Sequence, residues 1–388
     1  MVSRAVIAGQ IALSLALLFC AGLFTRTLRN LRAVDLGFRP ENVVNMPIDL
    51  KHSPYDAHAL QFYAGLLRQV RAWPEVRAAS FSSLNVISGS MASMVLSIPG
   101  YVSPNHMRPV AYWARISDGY FRTLGTPLVA GRDFAGTDRD GTGGGEGAAI
   151  VNEQFARQFL GGNALGKAFE YGGARKVRVV GIVRTAKFRY LREKPQPVLY
   201  LPMFQRNVLS DYYLHVRTTG DPRRAMDRLR AALHDLAPGL PPPAATTMEM
   251  QIDAALSRER LLAFLSTLLG CVAAALAAIG LYGVLSFAVT RRTREIGIRM
   301  AIGSQRAAIA SLFLRESAWM VAAGVAAGVP LMLGCGKLAG SLLYGLPGQD
   351  PSMVAAATAS LALIAFAAAA IPALRAARVE PVRALREE

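Results

Sequence analysis

Four uninterrupted apolar stretches divide the chain, and between the first and second of them the pattern changes to short alternations. Residues 261–289 form an uncharged run of 29. A helix rises about 1.5 Å per residue and a bilayer core is about 30 Å thick, so this run crosses a membrane with length to spare. Residues 5–24 carry only Gln10 and Ser14 as notable polar side chains, and residues 317–336 and 353–374 carry no charge. The pattern therefore predicts four transmembrane helices, at 5–24, 261–289, 317–336 and 353–374. Pro330 and Pro372 fall inside two of them, where neighbouring helices satisfy the freed backbone groups.

Residues 40–246 are enough for one large domain or two small ones. Residues 42–50 read as a strand, 55–73 as an amphipathic helix with Leu60, Tyr63, Leu67 and Val70 on one face, and 108–117 as another strand. Ile150 and Val151 lead into a helix over 153–160, residues 176–183 are strand-like, and 212–218 alternate again. Asp221 stands where an N-cap belongs, ahead of a helix to about residue 236 that Pro238 and Gly239 close. The glycine-rich residues 141–147 read as a mobile loop. The predicted domain is α+β, inserted between the first two spans. Its flanks, residues 25–39 and 247–260, are amphipathic, with Leu28, Leu31, Met248, Ile252 and Leu256 as packing positions, and are predicted to extend those spans as paired stalk helices.

Arginines orient this layout. The segment after the second span holds Arg291, Arg292, Arg294, Arg299, Arg306 and Arg315, and the tail 375–388 holds Arg375, Arg378, Arg383 and Arg386. Short loops rich in Lys and Arg stay in the cytoplasm, so both termini are expected inside and the domain outside. Only Arg4 precedes the first span whereas Arg26, Arg29 and Arg32 follow it. Long exported domains are weakly governed by flanking charge, so span parity decides, and the reversed charge points to a natural chain that begins earlier. The formal net charge of +17 and pI near 10.3 would suggest nucleic acid in a soluble protein. Here much of the excess flanks the spans, so membrane lipid is the expected partner and nucleic acid is not. Residues 1–25 hold a long apolar stretch, a minimal basic n-region and no clean A-x-A site, so the first span reads as uncleaved. Cys20, Cys271 and Cys335 all fall within spans, leaving the domain without a disulfide framework, zinc motif or redox motif.

Apparent catalytic motifs fail on context. Residues 161–167 read G-G-N-A-L-G-K, but Ala168 stands where a phosphate loop needs its magnesium-binding Ser or Thr, and a helix precedes it instead of a strand. Gly143, Gly145 and Ala148 mimic a dinucleotide fingerprint, yet residues 149–151 predict a strand where a helix is required. The histidines at 52, 58, 106, 215 and 234 form no H-E-x-x-H, no G-x-S-x-G occurs, and His52 and His58 read as surface residues. No catalytic, cofactor-binding or metal-binding residue is expected. The predicted spans hold no Asp, Glu, Lys, Arg or His apart from Lys337 at an end, which disfavours an ion-coupled carrier, so energy must come from elsewhere. The segment 290–304 is the place to look. Glu295 and Arg299 form an i, i+4 pair, Ile296 and Met300 share an apolar face, Gly303 can end a short helix, and Ser304 can cap the next. On pattern alone, a basic helix lying on anionic lipid fits the same residues.

The sequence T-R-E-I-G-I-R-M-A-I-G-S at 293–304, the tail P-A-L-R-A-A-R-V-E-P-V-R-A-L-R-E from Pro372, and the layout of one span, a large domain and three spans resemble the FtsX-like, MacB-type permeases of ABC transporters. So do D-G-Y-F-R-T-L-G-T-P-L-V-A-G-R-D-F at 118–134, I-V-N-E-Q-F-A-R-Q-F at 150–159 and P-V-L-Y-L-P at 197–202. The likeness covers essentially the whole chain. It is strongest to the second half of the duplicated orphan permeases of acidobacteria, so a half-length relative or a fragment is expected. The resemblance implies a permease that is no enzyme itself. A separate cytoplasmic ABC ATPase subunit would hold ATP and magnesium, dock on the short helix after the second span, and drive motion of the stalk and periplasmic domain for export or mechanotransmission. It further implies Glu295, Ile296, Gly297, Arg299, Ala301 and Gly303 as the coupling residues, a second permease unit completing a dimer, and a periplasmic adaptor or substrate. The family's domain divides into a porter-like lobe, mapped to 40–115 and 206–246, and an inserted lobe, mapped to 116–205. The alternative is a membrane-anchored regulator or scaffold that recruits an extracytoplasmic partner such as a cell-wall hydrolase or adaptor.

Overall fold

The computed structural model describes residues 2–103, 107–141, 145–173, 175–204, 211–302, 305–346 and 350–376. In chain order the elements are α1 (Val2–Arg32), β1 (Val43–Asp49), α2 (Ala59–Arg71), β2 (Val76–Ser82), β3 (Ser93–Ser97), β4 (Val110–Ile116), α3 (Tyr120–Leu124), β5 (Leu128–Gly131) and β6 (Gly147–Asn152). They continue with α4 (Glu153–Leu160), β7 (Ala168–Tyr171), β8 (Arg175–Val183), β9 (Val198–Pro202), β10 (Asp211–Thr218), α5 (Pro222–Leu236), β11 (Thr246–Thr247) and α6 (Met248–Ala255). The last four helices are α7 (Ser257–Arg291), α8 (Thr293–Ala301), α9 (Arg306–Leu338) and α10 (Pro351–Ala376). Two compact units result, Met1–Ala33 with Ser257–Glu388, and Val34–Leu256.

In the first unit, α1, α7, α9 and α10 are long and apolar enough to cross a membrane. The spanning segments, Ala5–Arg32, Ser257–Arg291, Ser311–Leu338 and Pro351–Arg375, exceed the apolar runs because helix continues into flanking polar residues. The charged residues lie outside the predicted uncharged runs: Arg26, Arg29 and Arg32 in the last turns of α1, and Arg315 and Glu316 just ahead of the apolar run of α9. Long polar side chains near helix ends reach the interface while their stems stay in apolar surroundings. Helix α1 is the hub, with half of its most apolar window buried against 22% for each of the others. Its Ile7, Ile11, Leu15, Phe19 and Leu23 recur every four residues and pack with Ala274, Leu281, Met320, Met332, Leu361 and Ala369. Small residues set the approach of α9: a Cβ added at Gly324 would lie 2.5 Å from Ile11 Cγ2, and one at Gly328 would lie 2.9 Å from Leu15 Cδ2. Such close backbone packing substitutes for a hydrophobic driving force that lipid does not supply. Against α7, the Ser14 hydroxyl donates to the Ala273 carbonyl at 2.9 Å.

The second unit contains one continuous 11-stranded sheet that serves two lobes. In the first lobe, strands run in the order β11-β1-β10-β2, a split βαβ arrangement. Alternating residues Val44, Met46 and Ile48 of β1 meet Tyr63, Leu67 and Val70 of α2 and Leu229 and Leu233 of α5 in one core. Leu66 joins that core whereas Leu60 is only half-buried, and a short 3-10 turn, Asp56–His58, precedes α2. The Asp221 carboxylate accepts from the Arg223 amide at 2.9 Å, capping α5.

The second lobe closes on itself. Strands β4, β3, β7, β8, β6 and β9 pair in turn, and β9 returns to β4 in parallel register from Tyr112↔Val198 to Ile116↔Pro202. One alternate set of side chains from all six strands, including Leu96, Ala111, Val151, Phe169, Val179 and Leu201, packs with Phe155 and Phe159 of α4. Only Ser82↔Ile116 pairs β2 with β4. The expected lobe boundaries at 115 and 206 therefore need correction: β3 and nearly all of β4 belong to the ring, while Met203 packs into the first core. The glycine run also differs from a loop throughout its length. Gly147 is buried at the start of β6, and a Cβ there would lie 2.2 Å from the Gly141 nitrogen. Residues 142–144 lie outside the described residues.

Between the lobes His215 of β10 is fully buried, with its ring 5.7 Å from that of Tyr120. Burial pushes its pKa from 6.5 down to about 4, against a smaller opposing pull from the Leu84 backbone. The folded chain thus binds fewer protons than the unfolded chain below pH 6.5. Stability is complete above that pH and falls on acidification, by about 3 kcal/mol at pH 4. Thermal unfolding of the full chain from pH 7 to 4 is expected to show this slope, and His215→Gln is expected to flatten it. An unchanged slope in the variant would assign the acid sensitivity to other groups.

Candidate functional site

Helix α8 is a separate short element because α7 breaks at Arg292. The Thr293 hydroxyl donates back to the carbonyls of Val289 at 3.1 Å and Thr290 at 2.9 Å, drawing the backbone away from straight continuation. Ile296, 4% exposed, anchors α8 by packing with Ile309 and Phe313 of α9 and Ala373 of α10. Arg292 reaches Glu316 at 3.5 Å. Glu295 and Arg299 flank this anchor, paired at 2.6 Å with each side chain about half exposed, and Ile298, 44% exposed, lies on the far face. Just past the helix end, Ile302 is 81% exposed. Two isoleucines beside an ion pair, at spacing i, i+4, make a small amphipathic surface on a helix held from behind.

The sequence-derived coupling residues distribute unevenly on this frame. Glu295 and Arg299 stay exposed beside the anchor, and Gly297 and Ala301 lie in the helix backbone. Ile296 has its side chain buried within its own chain, against Ile309, Phe313 and Ala373. Gly303 and Ser304 lie outside the described residues, and Gln305 occupies the cap position of α9. Sequence reading missed Ile298 and Ile302, although their four-residue spacing within a basic stretch was the available signal.

The domain grips the chain where it enters and leaves. Helix α1 ends at Arg32, so the expected stalk helix to residue 39 is corrected: residues 34–39 are an extended strap. Asp35 accepts from the Gly37 amide at 2.9 Å, Lys187 N donates to Leu36 O at 2.9 Å, and Arg39 N donates to Leu124 O at 2.8 Å. Gly37 has φ +74°, and a Cβ there would lie 2.5 Å from Thr185 O, so only glycine fits. Arg217 clamps the strap, donating to the carbonyls of Arg39, Glu41 and Thr123 at 2.6, 2.8 and 2.7 Å. On the exit side, 247–260 is not one stalk helix. Thr247 caps α6, which belongs to the domain, and a break at Leu256 separates it from α7. Gln251 of α6 accepts from Asn45 at 2.8 Å and donates to Asn85 at 2.6 Å, and Asn45 donates to Asn85 at 3.0 Å. This amide triad fixes α6 to β1. Its signal in sequence was Asn45, a polar residue in a strand that is otherwise apolar.

The decoy motifs have structural explanations. Gly161 is the left-handed cap of α4, and Lys167 donates to the Leu160 carbonyl at 2.8 Å, so the lysine satisfies a helix end and no helix N-terminus follows. His52, His58 and His234 are exposed, and His106 lies outside the described residues. No group of three or more metal-capable side chains occurs among the described residues.

Residues 10–233, more than half of the chain, match the MacB-like periplasmic core domain, and residues 267–381 match the FtsX-like permease C-terminal region. The macrolide export ATP-binding/permease protein MacB of Chromobacterium violaceum is 25% identical over 69% of this chain, which spans 42% of that relative's length. The uncharacterised ABC transporter permease YknZ of Bacillus subtilis is 27% identical over 70% of this chain and 69% of its own. The crystal structure of the periplasmic region of MacB from Actinobacillus actinomycetemcomitans, 14% identical, covers 60% of this chain and 98% of its own with a TM-score of 0.39.

Proposed function

The chain belongs to the ABC transporter permeases of the MacB/FtsX type, and we propose that it transmits the cycle of a separate cytoplasmic ATPase to its periplasmic domain. The observation that carries this reading is α8, a short helix whose buried Ile296 packs into its own bundle while Ile298 faces away and the pair of Glu295 and Arg299 stays exposed beside it. A partner docking there would push on α9 and α10 through Ile296, Ile309, Phe313 and Ala373 without entering the bundle. In this reading α8 and both termini are cytoplasmic, ATP and magnesium stay on the partner, and a second permease unit completes the assembly. The strap under Arg217 and the triad at Gln251 fix the first and last segments of the domain to its own body, so that a pull on either end would reach the sheet.

The test is affinity purification of the tagged full-length chain from native membranes in mild detergent, beside Glu295→Ala and Arg299→Ala. Wild type is expected to recover an ATPase with phosphate-loop motifs and hydrolytic activity, and the variants to recover about tenfold less. A folded wild-type chain that recovers no ATPase would overturn the reading in favour of a membrane scaffold.

A further inference from the structure

Near the domain-connected end of α1, a groove of about 700 Å³ within the membrane unit is lined by Ala21, Gly22, Arg26, Arg29, Thr267 and Met353, among others. The α1 residues fall at helical spacing on one stripe, with the small pair Ala21 and Gly22 deeper and the two arginines nearer the end. Gly22 lies about 10 Å from Arg29 along the helix axis, so the two ends of the groove differ in depth as well as in polarity. Asp350, only 12% exposed, holds Arg26 at 2.7 Å from one side. Arg29 is exposed, so the mouth carries two guanidiniums against one carboxylate and keeps one positive charge in excess. The floor is different in kind, formed by Ala21, Gly22 and the Met353 thioether.

We propose that this groove holds one glycerophospholipid of the periplasmic leaflet, its phosphate on Arg29 and Arg26 and the start of one acyl chain along Ala21, Gly22 and Met353. A guanidinium presents paired donors that match phosphate oxygens, and an apolar floor directly below them excludes a freely hydrated anion as the better occupant. The groove stays open because position 22 has no side chain. A Cβ there would meet only the Met353 sulfur, at an ordinary 3.4 Å, so the backbone accepts a side chain at this position and a longer one would project toward the groove. This site does not depend on the docking of an ATPase.

Native mass spectrometry of the full-length chain in detergent, titrated with phosphatidylglycerol, tests it. Wild type is expected to retain one lipid after the remaining lipid is stripped, with Arg29→Gln and Gly22→Leu each binding it about tenfold more weakly. Arg375→Gln, at the other end of the bundle, is expected to bind like wild type. Equal retention by all four proteins would mean annular lipid only and overturn the proposal. Displacement of the lipid by an equal concentration of glycerol 3-phosphate would also overturn it, by showing that the headgroup alone is recognised.

Discussion

Replacing Ile298 and Ile302 together with aspartate is expected to lower recovery of the ATPase at least about 100-fold while leaving the permease folded. Each isoleucine is well exposed in the isolated chain, at 44% and 81%, so a charge there stays hydrated and the monomer loses nothing. In the proposed complex the same positions are covered. Loss of two apolar contacts, each worth about 1.5–3 kcal/mol, is compounded by desolvation of two carboxylates. Ile296→Ala supplies the contrast. Its side chain packs against Ile309, Phe313 and Ala373, so truncation is expected to lower thermal stability by about 2 kcal/mol or more and to weaken docking only through loss of order in α8. Quantitative co-purification beside thermal unfolding separates the two. Undiminished ATPase recovery by the double aspartate variant would place the contact elsewhere.

Asp140→Ala is expected to destabilise the second lobe by about 3–5 kcal/mol. The Asp140 carboxylate lies 3.0 Å from the Arg115 guanidinium, with side-chain exposures of 1% and 7%, so removing it strands a buried positive charge. The pair itself does not have to be a net gain, because desolvating both partners offsets most of their attraction. Arg115→Met combined with Asp140→Leu is therefore expected to recover most of the loss. Urea unfolding followed through Trp113, which sits two residues from Arg115 on β4, reads both variants. A double variant as unstable as Asp140→Ala would assign the effect to the Asp140 backbone, whose carbonyl accepts from the Tyr171 hydroxyl at 2.6 Å, and not to the ion pair.

Some of this was legible because it depends on local chemistry repeated over many residues. A bilayer selects for length and apolarity, so all four spanning helices were readable as runs, and strands such as β1, β8 and β10 announced themselves by alternation. Asp221 was readable as a cap because a cap is decided within three residues. Their ends were less legible: α9 begins at Arg306, well before its apolar run, since a helix stops where its backbone bonding stops and not where hydrophobicity does.

The sequence by itself determined that the chain crosses a membrane, that an α+β domain is inserted after the first crossing, and that a short basic helix follows the second. Only the tertiary structure decided which side of that helix is open. Ile296 and Ile298 have the same side chain two positions apart, and nothing in the pattern ranks one as anchor and the other as surface until α9 and α10 cover the first. The same holds for the ring closure of β9 on β4, the strap under Arg217 and the triad of Asn45, Asn85 and Gln251. Each joins residues tens to hundreds of positions apart, and such pairings are set by how whole elements pack, a property that no window of sequence contains.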